Sequence, residues 1–217
     1  MWRSRLLSAV RRQLPAIVPL PLLRRREPFD DRAWLFELKL DGYRALAYVE
    51  RREARLVSRN GNTFRKFPSL CDALARLRVR DAIIDGEVVC LDDDGHPSFD
   101  ALYYRRREPC FFAFDLPWLD GRDLCDVPLL ERKRALRRIV PRRAGAVRYV
   151  DHVRGRGVDL FRAVCELDLE GIVAKPAASA YRVNGSRPPW VKIKNSSYTR
   201  AEGRFERFER AARRRAR

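Results

Sequence analysis

Between Trp34 and Val57 apolar and polar positions alternate, with aromatic and β-branched residues on the apolar side, a pattern that predicts paired strands around a turn at Gly42. Pro68 then opens a different period. Leu70, Ala73, Leu74 and Leu77 recur at helical spacing, so an amphipathic helix is expected there. Two further strand-like runs, Ala82 to Leu91 and Cys110 to Leu119, flank a DDDG turn at Asp92 to Gly95 and a short helical stretch from Phe99 to Arg105. Helices are expected over Pro128 to Val140 and Leu160 to Leu167, and strands over Gly171 to Ala174 and Trp190 to Ile193. Because strands and helices do not alternate regularly, the fold class is α+β with antiparallel sheet rather than a doubly wound parallel sheet.

Composition narrows the partner. The 217 residues carry 47 basic and 29 acidic side chains, a net charge of +18 that favours a polyanion, nucleic acid first. No apolar run approaches the length of a membrane span. Residues 1–28 are rich in arginine and contain Pro15, Pro19, Pro21 and Pro28, which break the apolar core that a targeting peptide needs; an extended basic lead-in is expected. The chain divides on this reading into that lead-in, a domain over 29–197 and a basic tail over 198–217, where Phe205 and Phe208 precede a run of arginines. Five scattered cysteines without a CxxC pair argue against a zinc site or a disulfide framework and fit a reducing cytoplasm. His96 and His152 stand far apart and are expected at the surface.

The basic residues are 41 arginines and only six lysines: Lys39, Lys66, Lys133, Lys175, Lys192 and Lys194. Arginine serves a phosphate contact at least as well, but it cannot practically lose a proton, so a nucleophilic amine must be lysine. Lys66 and Lys133 are adequately explained as surface residues. The other four sit in conspicuous surroundings. Lys39-Leu40-Asp41-Gly42-Tyr43-Arg44 is followed in order by Ser58-Arg59-Asn60-Gly61, Asp85-Gly86-Glu87, Phe114-Asp115-Leu116, Glu170 to Lys175 (EGIVAK) and Trp190 to Lys194 (WVKIK). This ordered set resembles the nucleotidyltransferase motifs of DNA ligases, RNA ligases and mRNA capping enzymes. The wording around it, FELKLDGYRALAYV and FFAFDLPWLDGRDL, is most similar to the ligase domain of bacterial end-joining DNA ligases.

The resemblance implies an α+β, antiparallel-sheet nucleotidyltransferase domain of ATP-grasp-like architecture, with Lys39 taking AMP from ATP and passing it to a DNA 5′-phosphate. Lys39 must lose a proton to attack, and clustered cations such as Arg44, Arg59, Lys192 and Lys194 disfavour another positive charge while neutralising phosphate. By the same resemblance Glu37 reads the adenine amino group and Phe114 stacks on the base. Arg44, Arg59 and Lys175 hold nucleotide or strand, Glu170 binds Mg²⁺ or Mn²⁺, and Glu87 contacts the ribose or a second metal. Asp41 is expected to orient Lys39, and Trp190 to pack. Only 23 residues follow Lys194, too few for the OB fold that usually follows in such ligases, so an OB-fold or end-joining partner is expected to help seal nicked or broken duplex DNA in the cytoplasm, near the nucleoid. RNA ligase or guanylyltransferase chemistry and a catalytically idle DNA-binding remnant are the alternatives.

Overall fold

The computed structural model describes residues 14–182 and 189–201; the first thirteen residues, and the arginine-rich tail with Phe205 and Phe208, lie outside the described residues. In chain order the strands are Leu23–Arg24 (β1), Trp34–Leu38 (β2), Tyr43–Glu50 (β3), Glu53–Ser58 (β4), Asp81–Val89 (β5), Cys110–Leu119 (β6), Arg122–Asp123 (β7), Val147–Tyr149 (β8), Val153–Arg154 (β9), Gly171–Pro176 (β10) and Val191–Lys194 (β11). The helices are Pro68–Ala75 (α1), Phe99–Tyr103 (α2), Leu129–Ile139 (α3) and Gly157–Glu166 (α4). Every helix and most strands stand where hydrophobic period placed them. The very short strands β1, β7, β8 and β9 carry too few residues to show a period.

The strands form two sheets, β1-β11-β10-β2-β9 and β4-β3-β5-β6-β7, with β8 alongside β6. Pairing is antiparallel except for β1 with β11 and β6 with β8. The expected pairing of the Trp34 and Tyr43 strands around Gly42 does not occur. Strand β2 lies between β10 and β9 in the first sheet, whereas β3 pairs with β4 and β5 in the second. Gly42 marks the crossing between sheets, and a Cβ there would stand 2.2 Å from the Val88 carbonyl oxygen, so glycine serves a close backbone approach rather than a reverse turn. The hairpin is instead β3 to β4, closed by Arg51 and Arg52 with φ of 51° and 66°, the two-positive-φ geometry that matches strand twist. Alternation specifies a strand and its buried face but not which distant strand pairs with it.

Helices α1 and α3 cover the second sheet, burying Leu70, Leu74 and Leu136 against Ala45, Leu56, Ile84 and Phe111. Helix α4 covers one face of the first sheet, where Val164 meets Phe36, Ile172, Ala174 and Ile193. The opposite face of that sheet turns toward the second sheet, and the candidate site lies between them. The lead-in, extended from Leu14, is docked over this cleft: the Ile17 amide donates to the Tyr48 hydroxyl at 3.1 Å, and Leu20 is buried. No helix among the described residues is long and apolar enough to cross a membrane.

Candidate active site

Strand parity assembles the site. Directly paired residues share a face, and the registers Val173↔Glu37, Lys175↔Leu35 and Val173↔Lys192 put Glu37, Lys175 and Lys192 on the face away from α4. Lys39 follows β2 with the parity of Glu37, and its amide donates to the Gly171 carbonyl at 2.8 Å. The second sheet contributes Arg44 from β3, Glu87 from its register partner in β5, and Phe114 from β6. Glu37, Lys39, Arg44, Glu87, Phe114 and Lys175 line one pocket together with Leu22, Val173 and Trp190.

At the mouth, the Lys39 Nζ donates to Glu170 Oε2 at 2.6 Å, and Lys194 Nζ lies 3.5 Å from the other oxygen. Burial, followed by the charges of Lys39 and Lys194, holds the Lys192 ammonium below its ordinary value. Burial pushes the Glu87 carboxyl up to about 8; Lys39 and Arg44 oppose that rise, and Glu170 and Asp85 add to it. Glu170 and Glu87, two carboxyl groups beside a lysine cluster, are hard oxygen donors of the kind Mg²⁺ or Mn²⁺ takes while keeping several waters. Among the described residues no group of three or more His, Cys, Asp or Glu could hold a metal ion.

Deeper, Glu37 is buried and holds two ammonium groups, Lys133 on Oε1 and Lys175 on Oε2, each at 2.5 Å. Burial alone would raise its carboxyl, but the two lysines outweigh that and hold it below the carboxylate range. Lys175 also lies 4.3 Å from the centre of the Phe114 ring and 4.2 Å from that of Trp190. Arg44 forks onto the fully buried Asp85 at 3.1 and 2.7 Å and donates to the Leu20 carbonyl at 2.5 Å. Burial opposes the Arg44 charge, yet Asp85 carries its pKa above the ordinary value.

Lys133 corrects an expectation. It is 1% exposed, inside the protein rather than on its surface. Leu129, Arg132, Lys133 and Leu136 stand at i, i+3, i+4 and i+7 on the inner face of α3, so helical spacing already aimed this lysine inward. Its neighbour Arg132 forks onto the buried Asp115 of β6 at 2.7 and 2.8 Å, anchoring the helix beside Phe114. The histidines are half-buried, not on the open surface, and burial followed by Lys133 holds His152 below its ordinary value. Lys66 is half-buried too, 4.0 Å from the centre of the Tyr43 ring. Asp41 accepts from the Tyr198 hydroxyl at 3.1 Å, and Trp190 is 1% exposed, as packing requires. Arg59 stays exposed beyond β4, outside the pocket lining and without an ion pair among the described residues, although its charge reaches Lys192.

A family model described as "ATP dependent DNA ligase domain" matches residues 24–194. The chain is 38% identical over 168 residues to the multifunctional non-homologous end joining protein LigD of Pseudomonas aeruginosa, a match covering 74% of this chain and 20% of that protein. It is 32% identical over 191 residues to the SPbeta prophage-derived DNA ligase-like protein LigB of Bacillus subtilis, covering 84% of this chain and 69% of the other. Among solved structures, mycobacterial DNA ligase D complexed with ATP and MES superposes with a TM-score of 0.69 at 32% identity, covering 82% of this chain and 60% of that one.

Proposed function

The chain belongs to the ATP-dependent DNA ligase domain family, and on that premise we propose that it is an adenylation module whose Lys39 takes AMP from ATP and passes it to a DNA 5′-phosphate. The observation that carries this reading is the Lys39 amine, held 2.6 Å from Glu170 at the mouth of a pocket with an aromatic wall and a buried carboxylate. The Lys39 ammonium gives one proton to solvent, and the resulting amine forms an N–P bond to the α-phosphorus while the bond from that phosphorus to the bridging oxygen breaks. Pyrophosphate leaves with the electron pair as the nitrogen sheds a second proton to solvent. Glu170 accepts from the ammonium and fixes its direction, and Lys192 and Lys194 meet the negative charge of the phosphates. In the second half-reaction a DNA 5′-phosphate oxygen forms an O–P bond to the same phosphorus as the N–P bond breaks, and the Lys39 nitrogen leaves with the electron pair and takes a proton from solvent.

The remaining roles follow from chemistry and position. Phe114 supplies a flat face for adenine. Glu37, with both oxygens already paired, keeps further lone pairs that can accept from the adenine amino group. Arg44 and Lys175 bind nucleotide from opposite sheets, Glu87 meets the ribose hydroxyls, and Arg59 meets a strand phosphate at the rim. Glu170, with Glu87 beside it, would hold Mg²⁺ or Mn²⁺, which when bound adds charge neutralisation at the phosphates.

Nicked or broken duplex DNA is the proposed acceptor, supported by the net charge of +18 and by the end-joining name of the Pseudomonas aeruginosa relative. The chain matches 20% of the length of that relative; we assign complete sealing to this module acting with an OB-fold or end-joining partner, near the nucleoid in the cytoplasm. The test is incubation with α-labelled ATP or GTP and Mg²⁺ or Mn²⁺, beside Lys39→Ala. The expected result is a covalent adenylate from ATP alone that Lys39→Ala abolishes. Absence of any adduct with either metal, in protein free of pre-bound AMP, would overturn the reading, and labelling by GTP would redirect it to guanylyl transfer.

A further inference from the structure

We infer that Arg24, in the edge strand β1, is a phosphate-binding residue of this site and forms with Lys192 a subsite beyond the Lys39 cluster. The inference rests on the adenylation reading and adds a residue to it. Strand β1 joins β11 in parallel, with Arg24 in register with Lys192 and the Arg25 amide donating to the Lys192 carbonyl at 3.0 Å. Lys192 is in register with Val173, and Val173 with Glu37, so Arg24 continues the row that crosses the pocket face of the first sheet.

The neighbours of Arg24 fix the same parity independently. Leu22, two residues before it, lines the pocket. Arg25, the next residue, turns to the opposite face, its guanidinium 3.9 Å from the centre of the Phe29 ring, which packs with Trp34 and Phe36 under α4. In a strand, alternate residues point to opposite faces, so Arg24 follows Leu22 toward the site.

Availability separates Arg24 from most of the cations nearby. Lys39 and Lys194 are drawn to Glu170, Lys175 to Glu37, and Arg44 to Asp85. Arg24 is exposed and, like Lys192, forms no ion pair among the described residues. A guanidinium presents two parallel N–H donors to a phosphate, and the ammonium beside it supplies a second positive charge. The ligand chemistry is a phosphate group, from either the β- and γ-phosphates of ATP or the DNA strand.

Three measurements on the full chain test the assignment in wild type, Arg24→Ala, Arg24→Gln and Arg24→Lys: calorimetric affinity for ATP and for AMP, the rate of lysyl-AMP formation, and single-turnover sealing of a pre-adenylated nick. A subsite for nucleotide phosphates weakens ATP by about tenfold in Arg24→Ala and Arg24→Gln and leaves AMP unchanged, the loss expected of one charge-assisted contact. A strand subsite leaves both nucleotides unchanged and slows sealing of the pre-adenylated nick by a similar factor. Retention of wild-type values on every arm by folded Arg24→Ala and Arg24→Gln, judged by thermal unfolding, would overturn the assignment. Failure of the wild type to form an adduct would sink the adenylation reading, while the ATP-to-AMP comparison together with sealing of the pre-adenylated nick, which needs no lysyl-AMP, still decides Arg24.

Discussion

At the scale of single residues, the buried charges set the energetics of the site. Glu37 is neutralised by two lysines brought by different elements, Lys133 from α3 and Lys175 from β10. Removing one partner leaves a buried carboxylate with a single ammonium on it, so Lys133→Ala is expected to cost about 3–5 kcal/mol by urea denaturation. Glu87 gives a pH signature. Its carboxyl is raised from 4.5 to about 8 by burial, so the folded state holds a proton that the unfolded chain releases. Its contribution to stability is therefore complete below pH 4.5 and is lost as pH rises to about 8. Without metal or nucleotide, the wild type should lose stability across that window relative to Glu87→Gln; parallel pH curves for the two proteins would show that Glu87 does not titrate there. The four lysines within the motifs were conspicuous in the sequence because lysine is so scarce, whereas the partner of Lys133 was not legible, since Glu37 lies in a distant segment.

At the scale of elements, most boundaries follow from local chemistry. Ser98 caps α2 by accepting from the Ala101 amide at 3.3 Å, and Pro68 opens α1 at a position where its missing amide costs nothing. The β3 to β4 hairpin departs from local preference, because Arg51 and Arg52 both occupy the left-handed region that favours Asn and Gly. Replacing the pair with Asn-Gly is expected to stabilise the protein by about 0.5–1 kcal/mol in thermal or urea unfolding without altering adenylation. A destabilised variant would mean that the arginines make contacts outweighing their backbone strain.

At the scale of the whole molecule, the net charge of +18 is unevenly placed. Arg76, Arg78, Arg134, Arg137, Arg138, Arg142 and Arg143 line a groove beside α1, α3 and β8 whose lining contains no acid. DNA binding should consequently be steeply salt-dependent. Neutralising roughly six phosphates predicts a loss of affinity of about 10³-fold between ~50 and ~200 mM salt, measurable by fluorescence anisotropy, and a flat response would exclude phosphate neutralisation as the main source of affinity. The sequence alone determined the strand and helix types and the order of the motifs, because hydrophobic period and motif wording are local properties, and the resemblance of those motifs to nucleotidyltransferases singled out Lys39 among four conspicuous lysines as the candidate nucleophile. Only the tertiary structure decided that β2 and β3 belong to different sheets, that Lys133 is buried against Glu37, and that Arg24 stands beside Lys192. Each of these depends on which distant segment arrives alongside, and a period along the chain records which side of an element is buried but not the partner that buries it.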